Sequence, residues 1–153
     1  MANANDAAEL QPFNASNYCV GIAVGLFNSY ITTPMKDLAI KTLVEDYQIP
    51  LEQIVVIEVA GAADIPVALE ALARRDDIDC LMTIAAIIRG DTAHFDFVAK
   101  IVTEAVKDIQ IKHCKPVAFG VLTTNTEAQA MARIVHASGY AAASVHARRS
   151  IGR

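Results

Sequence analysis

The sequence predicts an α/β domain, a three-layer α/β/α sandwich built around a parallel sheet. Four short apolar runs, at residues 19–24, 54–59, 80–88 and 117–122, are continuous rather than alternating. That is the pattern of strands covered on both faces. An amphipathic helical stretch follows each run, and small or polar residues gather where run gives way to helix.

The elements follow in order. After the first run, Ile31, Met35, Leu38, Ala39, Leu43 and Tyr47 fall on one helical face, with Thr33 as cap and Pro34 in the first turn. After the second, residues 64–75 place Ile65, Ala68, Leu69 and Leu72 together, with Asp64 as cap and Pro66 tolerable in the first turn. The third helix lines up Val98, Ile101, Val102, Ala105 and Ile109, opposite Lys100, Glu104, Lys107 and Asp108. The fourth opens at Thr124 with Glu127 as a capping-box partner, carries Ala128, Met131, Ala132 and Val135, and stops at Gly139. An alanine-rich fifth helix runs to about residue 148. Strict alternation implies right-handed crossovers and a four-stranded parallel, flavodoxin-like sheet. Residues 17–153 form this domain, and residues 1–16 read as a flexible N-terminal arm.

Composition narrows the function. The chain has 153 residues, 54% hydrophobic and 20% charged, with a net charge of −4. That is not a disordered composition, and it argues against a nucleic-acid surface. The local excess of positive charge, Arg148, Arg149 and Arg153, reads as a solvated chain end. Cys19, Cys80 and Cys114 are far apart, without a CxxC pair, and read as reduced thiols of a cytoplasmic protein rather than metal ligands. No stretch approaches the roughly 18 apolar residues of a membrane span. The first dozen residues lack a secretory-signal pattern.

Open α/β sheets bind ligands beyond the carboxyl ends of their strands. Here those ends are Gly25-Leu26-Phe27-Asn28, Ala60-Gly61-Ala62-Ala63-Asp64, Arg89-Gly90-Asp91-Thr92-Ala93-His94 and Thr123-Thr124-Asn125. The third is richest. Gly90 allows an unusual backbone angle or close approach to a ligand. A helix opening near Asp91 and Thr92 offers free amides to an anion, and His94 in its first turn suits a neutral base. Spacing alone leaves His94 equally a capping or packing residue. It leaves Arg133 a solvated arginine, Asp64 a cap, and Phe27 and Phe119 core aromatics. Arg89 and Asp96 are placed to pair with each other or across an interface. GxGxxG, P-loop, GxSxG and HExxH motifs are absent from the sequence.

Ile88-Arg89-Gly90-Asp91-Thr92-Ala93-His94-Phe95-Asp96-Phe97-Val98 resembles the active-site segment of the lumazine synthases. Phe119-Gly120-Val121-Leu122-Thr123-Thr124-Asn125-Thr126, with Gln129, Ala130 and Arg133, is similar to their second signature. Phe27-Asn28 and Gly61-Ala62-Ala63-Asp64-Ile65-Pro66 match two further blocks in the same order, so the likeness covers about residues 18–147. The resemblance implies a transferase of riboflavin biosynthesis that works without metal or organic cofactor. It condenses 5-amino-6-(D-ribitylamino)uracil with 3,4-dihydroxy-2-butanone 4-phosphate. It implies His94 as the proton-transfer residue and Phe27 stacked on the pyrimidine. Asp64, with Ala62 and Ala63, meets the ribityl chain, and Ile87 and Ile88 meet the pyrimidine edge. Asp91, Thr92 and Arg133 hold phosphate. Phe119 and Arg133 come from the neighbouring subunit of a pentamer, some of which close into sixty-subunit shells.

The chain departs from the family pattern in three places. Asp91 stands where alanine is usual, and Ala63-Asp64 where an aromatic and a glutamate are usual. A glycine-rich turn with lysine is replaced by Val135-His136-Ala137-Ser138-Gly139. These changes keep two other readings open: a non-catalytic shell-forming or ligand-binding paralogue, and a different enzyme of phosphorylated carbonyl compounds. Retention of Phe27, His94 and Arg133 together favours the synthase.

Overall fold

A computed structural model describes residues 10–152. Four strands, β1 (Val20–Gly25), β2 (Ile54–Val59), β3 (Cys80–Ile88) and β4 (Val117–Thr124), form one parallel sheet in the order β2-β1-β3-β4. Five α-helices, α1 (Ser29–Glu45), α2 (Ile65–Ala73), α3 (His94–His113), α4 (Glu127–Ala132) and α5 (Ala137–Ile151), connect and cover it. The predicted sandwich and its flavodoxin-like sheet are what the chain forms.

Strand alternation sorts the core into two layers. Ile22, Val24, Met82 and Ile84 pack with Ile31, Met35 and Leu43 of α1 and Val145 of α5. Ala23, Leu81, Ala85 and Val121 pack with Leu69 and Leu72 of α2 and Val102 and Ile109 of α3. Each such leucine or isoleucine, fully removed from water, contributes roughly 1.5–3 kcal/mol. β3 is buried at eight of its nine residues. The run of β2 is apolar apart from Glu58, yet that strand is only half-buried because it is an edge of the sheet.

Several boundaries differ from expectation for local reasons. Helix α1 starts after Asn28, which adopts the left-handed conformation at φ 62° and accepts the amides of Ile31 and Thr32 through its carbonyl. Thr33 therefore does not cap, and Pro34 lies inside the helix. The capping box of α4 pairs Thr126 with Gln129 rather than Thr124 with Glu127, because β4 extends through Thr124. Helix α4 ends after Ala132 in a 3₁₀ turn at Ile134–His136, and Gly139 lies within α5 instead of terminating α4. So short a helix buries Ala130 and leaves Met131 and Val135 exposed.

The tail and the arm also pack. Arg148 lies 3.8 Å from Asp79, and the Arg149 guanidinium covers the Phe13 ring at 4.4 Å, while Arg153 lies outside the described residues. Of the expected arm, residues 1–9 lie outside the described residues. Leu10 and Phe13 pack against the core, and Ala15 is buried and donates its amide to Tyr47. No described helix is long and apolar enough to cross a membrane.

Candidate active site

Strands β1 and β3 are neighbours, but their helices leave on opposite faces, α1 with α5 and α2 with α3. Such a reversal opens a crevice beyond the two carboxyl ends. The turns after β1 and β3 are therefore the candidate site. Asn28 ties them together by donating Nδ2 to the Ala86 carbonyl at 2.9 Å.

The β1 turn is firmly built. The amides of Leu26 and Phe27 donate to the carbonyls of Val59 and Ala60, so the ladder with β2 continues past the strand. Phe27 is 70% exposed, which excludes the core role that spacing allowed it. Its ring rests on the backbone of Gly61: a Cβ there would stand 2.6 Å from the ring Cδ2. Asp64 accepts the Gly61 amide at 3.1 Å and holds the turn from below. Ala62, Ala63 and Asp64 thus lie beside Phe27, with Ala63 and Asp64 exposed. On β3, Ile87 is buried and Ile88 half-buried, opposite Thr123 and Thr124 of β4.

The β3 turn is looser. Gly90 does not take a left-handed backbone angle, and a Cβ there would meet nothing within 4 Å, so room is what this glycine provides. Helix α3 opens at His94, later than the expected start at Asp91 and Thr92. Thr92, not Asp91, meets the helix end, its Oγ1 accepting the His94 amide at 3.3 Å. The exposed His94 ring has no hydrogen-bond partner among the described residues. It is neither a cap nor a packed side chain.

Neither Phe119 nor Arg133 bonds to His94 among the described residues. Phe119, 37% exposed on β4, pairs with Thr83, whereas the strand end at Thr124 pairs with Ile88. At about 3.3 Å per residue, Phe119 sits roughly 16 Å back from the carboxyl rim. Arg133 caps the end of α4 and donates Nη1 to the Gln129 carbonyl at 2.9 Å. Sequence reasoning placed Asn28 and Asn125 at strand ends but gave neither a role. The signal for Asn28 was available, since asparagine tolerates the left-handed position that starts a helix here.

A hollow of about 460 Å³ opens at the opposite rim, at the amino ends of β1 and β3, and its lining includes Cys19, Glu52, Arg75, Asp76, Asp77 and Asp79. Two of its carboxylates are already used, Asp77 by Arg75 and Asp79 by the Cys19 amide. It lies at the wrong end of the sheet for substrate. Burial pushes the Cys80 thiol up to about 12, so that cysteine is core rather than nucleophile. No group of three or more metal-ligating side chains occurs among the described residues.

Residues 17–149 match the family model described as 6,7-dimethyl-8-ribityllumazine synthase. A 6,7-dimethyl-8-ribityllumazine synthase of Nitrosospira multiformis is 34% identical over 135 residues, 88% of this chain and 84% of that protein. With nearly the whole domain matched and the fold in agreement, the chain belongs to the 6,7-dimethyl-8-ribityllumazine synthase family.

Proposed function

We propose that the chain condenses 5-amino-6-(D-ribitylamino)uracil with 3,4-dihydroxy-2-butanone 4-phosphate to 6,7-dimethyl-8-ribityllumazine, the penultimate step of riboflavin biosynthesis. One observation carries the reading. In a chain of this family, a propped, exposed aromatic ring and an unengaged imidazole stand at the carboxyl ends of adjacent strands.

The pyrimidine stacks on Phe27, with its edge against the backbone of Ile87 and Ile88. The ribityl chain runs toward Ala62, Ala63 and Asp64. Asp64 reaches a hydroxyl with the carboxylate oxygen that the Gly61 amide leaves free. Phosphate lies against the Asp91–Thr92 turn, where the start of the 20-residue α3 presents positive potential. Asp91 does not cap the helix, so its carboxylate opposes phosphate unless it turns to solvent. That makes the guanidinium of Arg133 the principal counter-charge.

The amine of the uracil attacks the ketone and water leaves to give the imine; phosphate is then eliminated, and ring closure releases a second water. His94 moves the protons. Holding two substrates side by side removes an entropic barrier worth up to roughly 7–11 kcal/mol, so positioning supplies much of the rate. No metal or organic cofactor is needed.

Phe119 and Arg133 act on the site of a neighbouring copy, a reading supported by the setback of Phe119 from the carboxyl rim and by the exposure of Met131 in α4 and Val135 in the turn that follows. The assembly is a pentamer, alone or as twelve in a sixty-subunit shell, which light scattering and electron microscopy will size. Free thiols at Cys19, Cys80 and Cys114 suit the reducing cytoplasm.

The test supplies both substrates to pure protein and follows lumazine fluorescence. A rate no higher than the spontaneous reaction rejects the enzyme. Co-assembling His94→Ala chains with Arg133→Ala chains sharpens it: mixed oligomers regain activity if one site draws on two chains, and stay inactive if it draws on one.

A further inference from the structure

Among the described residues the His94 ring has no side-chain partner, so its position is set by the backbone that carries it. One residue grips that backbone. The Arg89 guanidinium donates Nε to Asn125 Oδ1 at 3.1 Å and its two Nη groups to Asp96 at 3.3 and 3.5 Å. Its carbon also lies 4.2 Å from the centre of the Phe95 ring. A single planar cation thus uses all three of its nitrogens and one face. Its own amide donates to the Thr124 carbonyl at 2.8 Å, fixing it on the sheet.

We infer that Arg89 is a positioning residue for His94, bracing the first turn of α3 against the β4–α4 turn. The inference rests on the proposed role of His94. The two residues that follow His94 are held by a group anchored on β3 and on the turn leading to α4. The brace therefore also links the turn presenting His94 to the helix presenting Arg133, which serve different sites in the proposed assembly. Lysine cannot replace this grip, because an ammonium has no fork and no flat face.

The pair is exposed, with Arg89 at 44% and Asp96 at 61%, so its loss costs the fold little. Its loss should instead appear in turnover. Arg89→Gln is expected to lower kcat about tenfold while both KM values change less than about twofold, and Arg89→Lys to recover only part of that. Amide exchange over residues 94–98, followed by mass spectrometry, should quicken several-fold in Arg89→Gln with the unfolding temperature nearly unchanged. Asp96→Asn offers a second route to the same loosening should Arg89→Gln fail to fold.

Unchanged kcat and unchanged exchange overturn the inference, as does full rescue by lysine. A fall in kcat without faster exchange, or a matching rise in KM, assigns Arg89 to substrate binding instead and also overturns it. If the wild-type protein makes no lumazine, the proposed function fails. The exchange data still report separately on the brace.

Discussion

Helix α3 carries a histidine at each end, and the two could hardly be treated more differently. His113, with its side chain 16% exposed, places Nε2 2.8 Å from Glu70 Oε2. Lys112 and Arg74 donate to the other oxygen of the same carboxylate, at 3.0 and 2.9 Å. His94 is exposed, and its ring is bonded to nothing among the described residues. One helix thus has a fastened end and an available end. Partnering makes a histidine structural, and the absence of a partner leaves it for chemistry. The fastening also matters to the site. Glu70 belongs to α2, so the clamp holds together the two helices whose amino ends follow the Gly61 turn and the Gly90 turn.

The largest expected effect breaks or keeps that contrast directly. His94→Ala should lower turnover about a hundredfold with the unfolding temperature unchanged, since proton transfer by a positioned side chain contributes about 10²–10⁴-fold. His113→Ala should do the reverse, sparing turnover and lowering the unfolding temperature. Steady-state kinetics beside thermal melts will decide. If His113→Ala costs as much turnover as His94→Ala in folded protein, the division of labour along α3 is wrong.

A second effect, smaller, probes the two amino ends of the helix pair. The Phe27 ring lies against Gly61, where an added methyl cannot fit without moving it. Gly61→Ala should raise KM for the ribitylaminouracil about tenfold, near the 1.4 kcal/mol expected for losing a good aromatic contact. KM for the phosphorylated ketone should hardly move. An equal rise in both would mean that the β1 turn shapes the whole crevice and not the stacking platform alone.

Much of this was legible in the sequence, and the failures have causes. Continuous β-branched runs and the 3.6-residue stripes of α2 gave the layers, because Ile65, Leu69 and Leu72 have no other way to leave water. The turns holding Phe27 and His94 followed from strand ends, which open sheets use in a fixed way. Illegible were features decided by long-range pairing. The continuation of β4 through Thr124 displaced the α4 cap to Thr126, and the Asp79 contact turned Arg148 from a solvated residue into a half-buried one, while Arg149 stays exposed over the Phe13 ring. Nor does spacing reveal which histidine meets a carboxylate forty-three residues away in the chain, as His113 meets Glu70. The likeness to a family suggested the site's residues, while the fold of one chain gathers at the carboxyl rim those at the ends of β1, β2 and β3 and in the turns that follow, Phe27, Asp64, Ile87 and His94 among them, and sets Phe119 back along β4.

The smallest effect concerns the fastened end. The hydrogen bond from His113, followed by that from Lys112, holds the Glu70 carboxyl down at about 2, below its ordinary 4.5. A carboxyl depressed in the folded protein stabilises it fully above the unfolded value and loses that contribution as acid protonates the folded form. The window therefore runs from about pH 4.5 down to about 2. Glu70→Gln should melt a few degrees below the wild type at neutral pH, since three partners share one solvent-accessible carboxylate. That gap should shrink through the same window and close at its acid end, while turnover at neutral pH stays within about twofold. A gap that persists undiminished at pH 2 would show that the carboxylate charge is not what fastens α2 to α3, and the contrast between the two histidines would lose its electrostatic half.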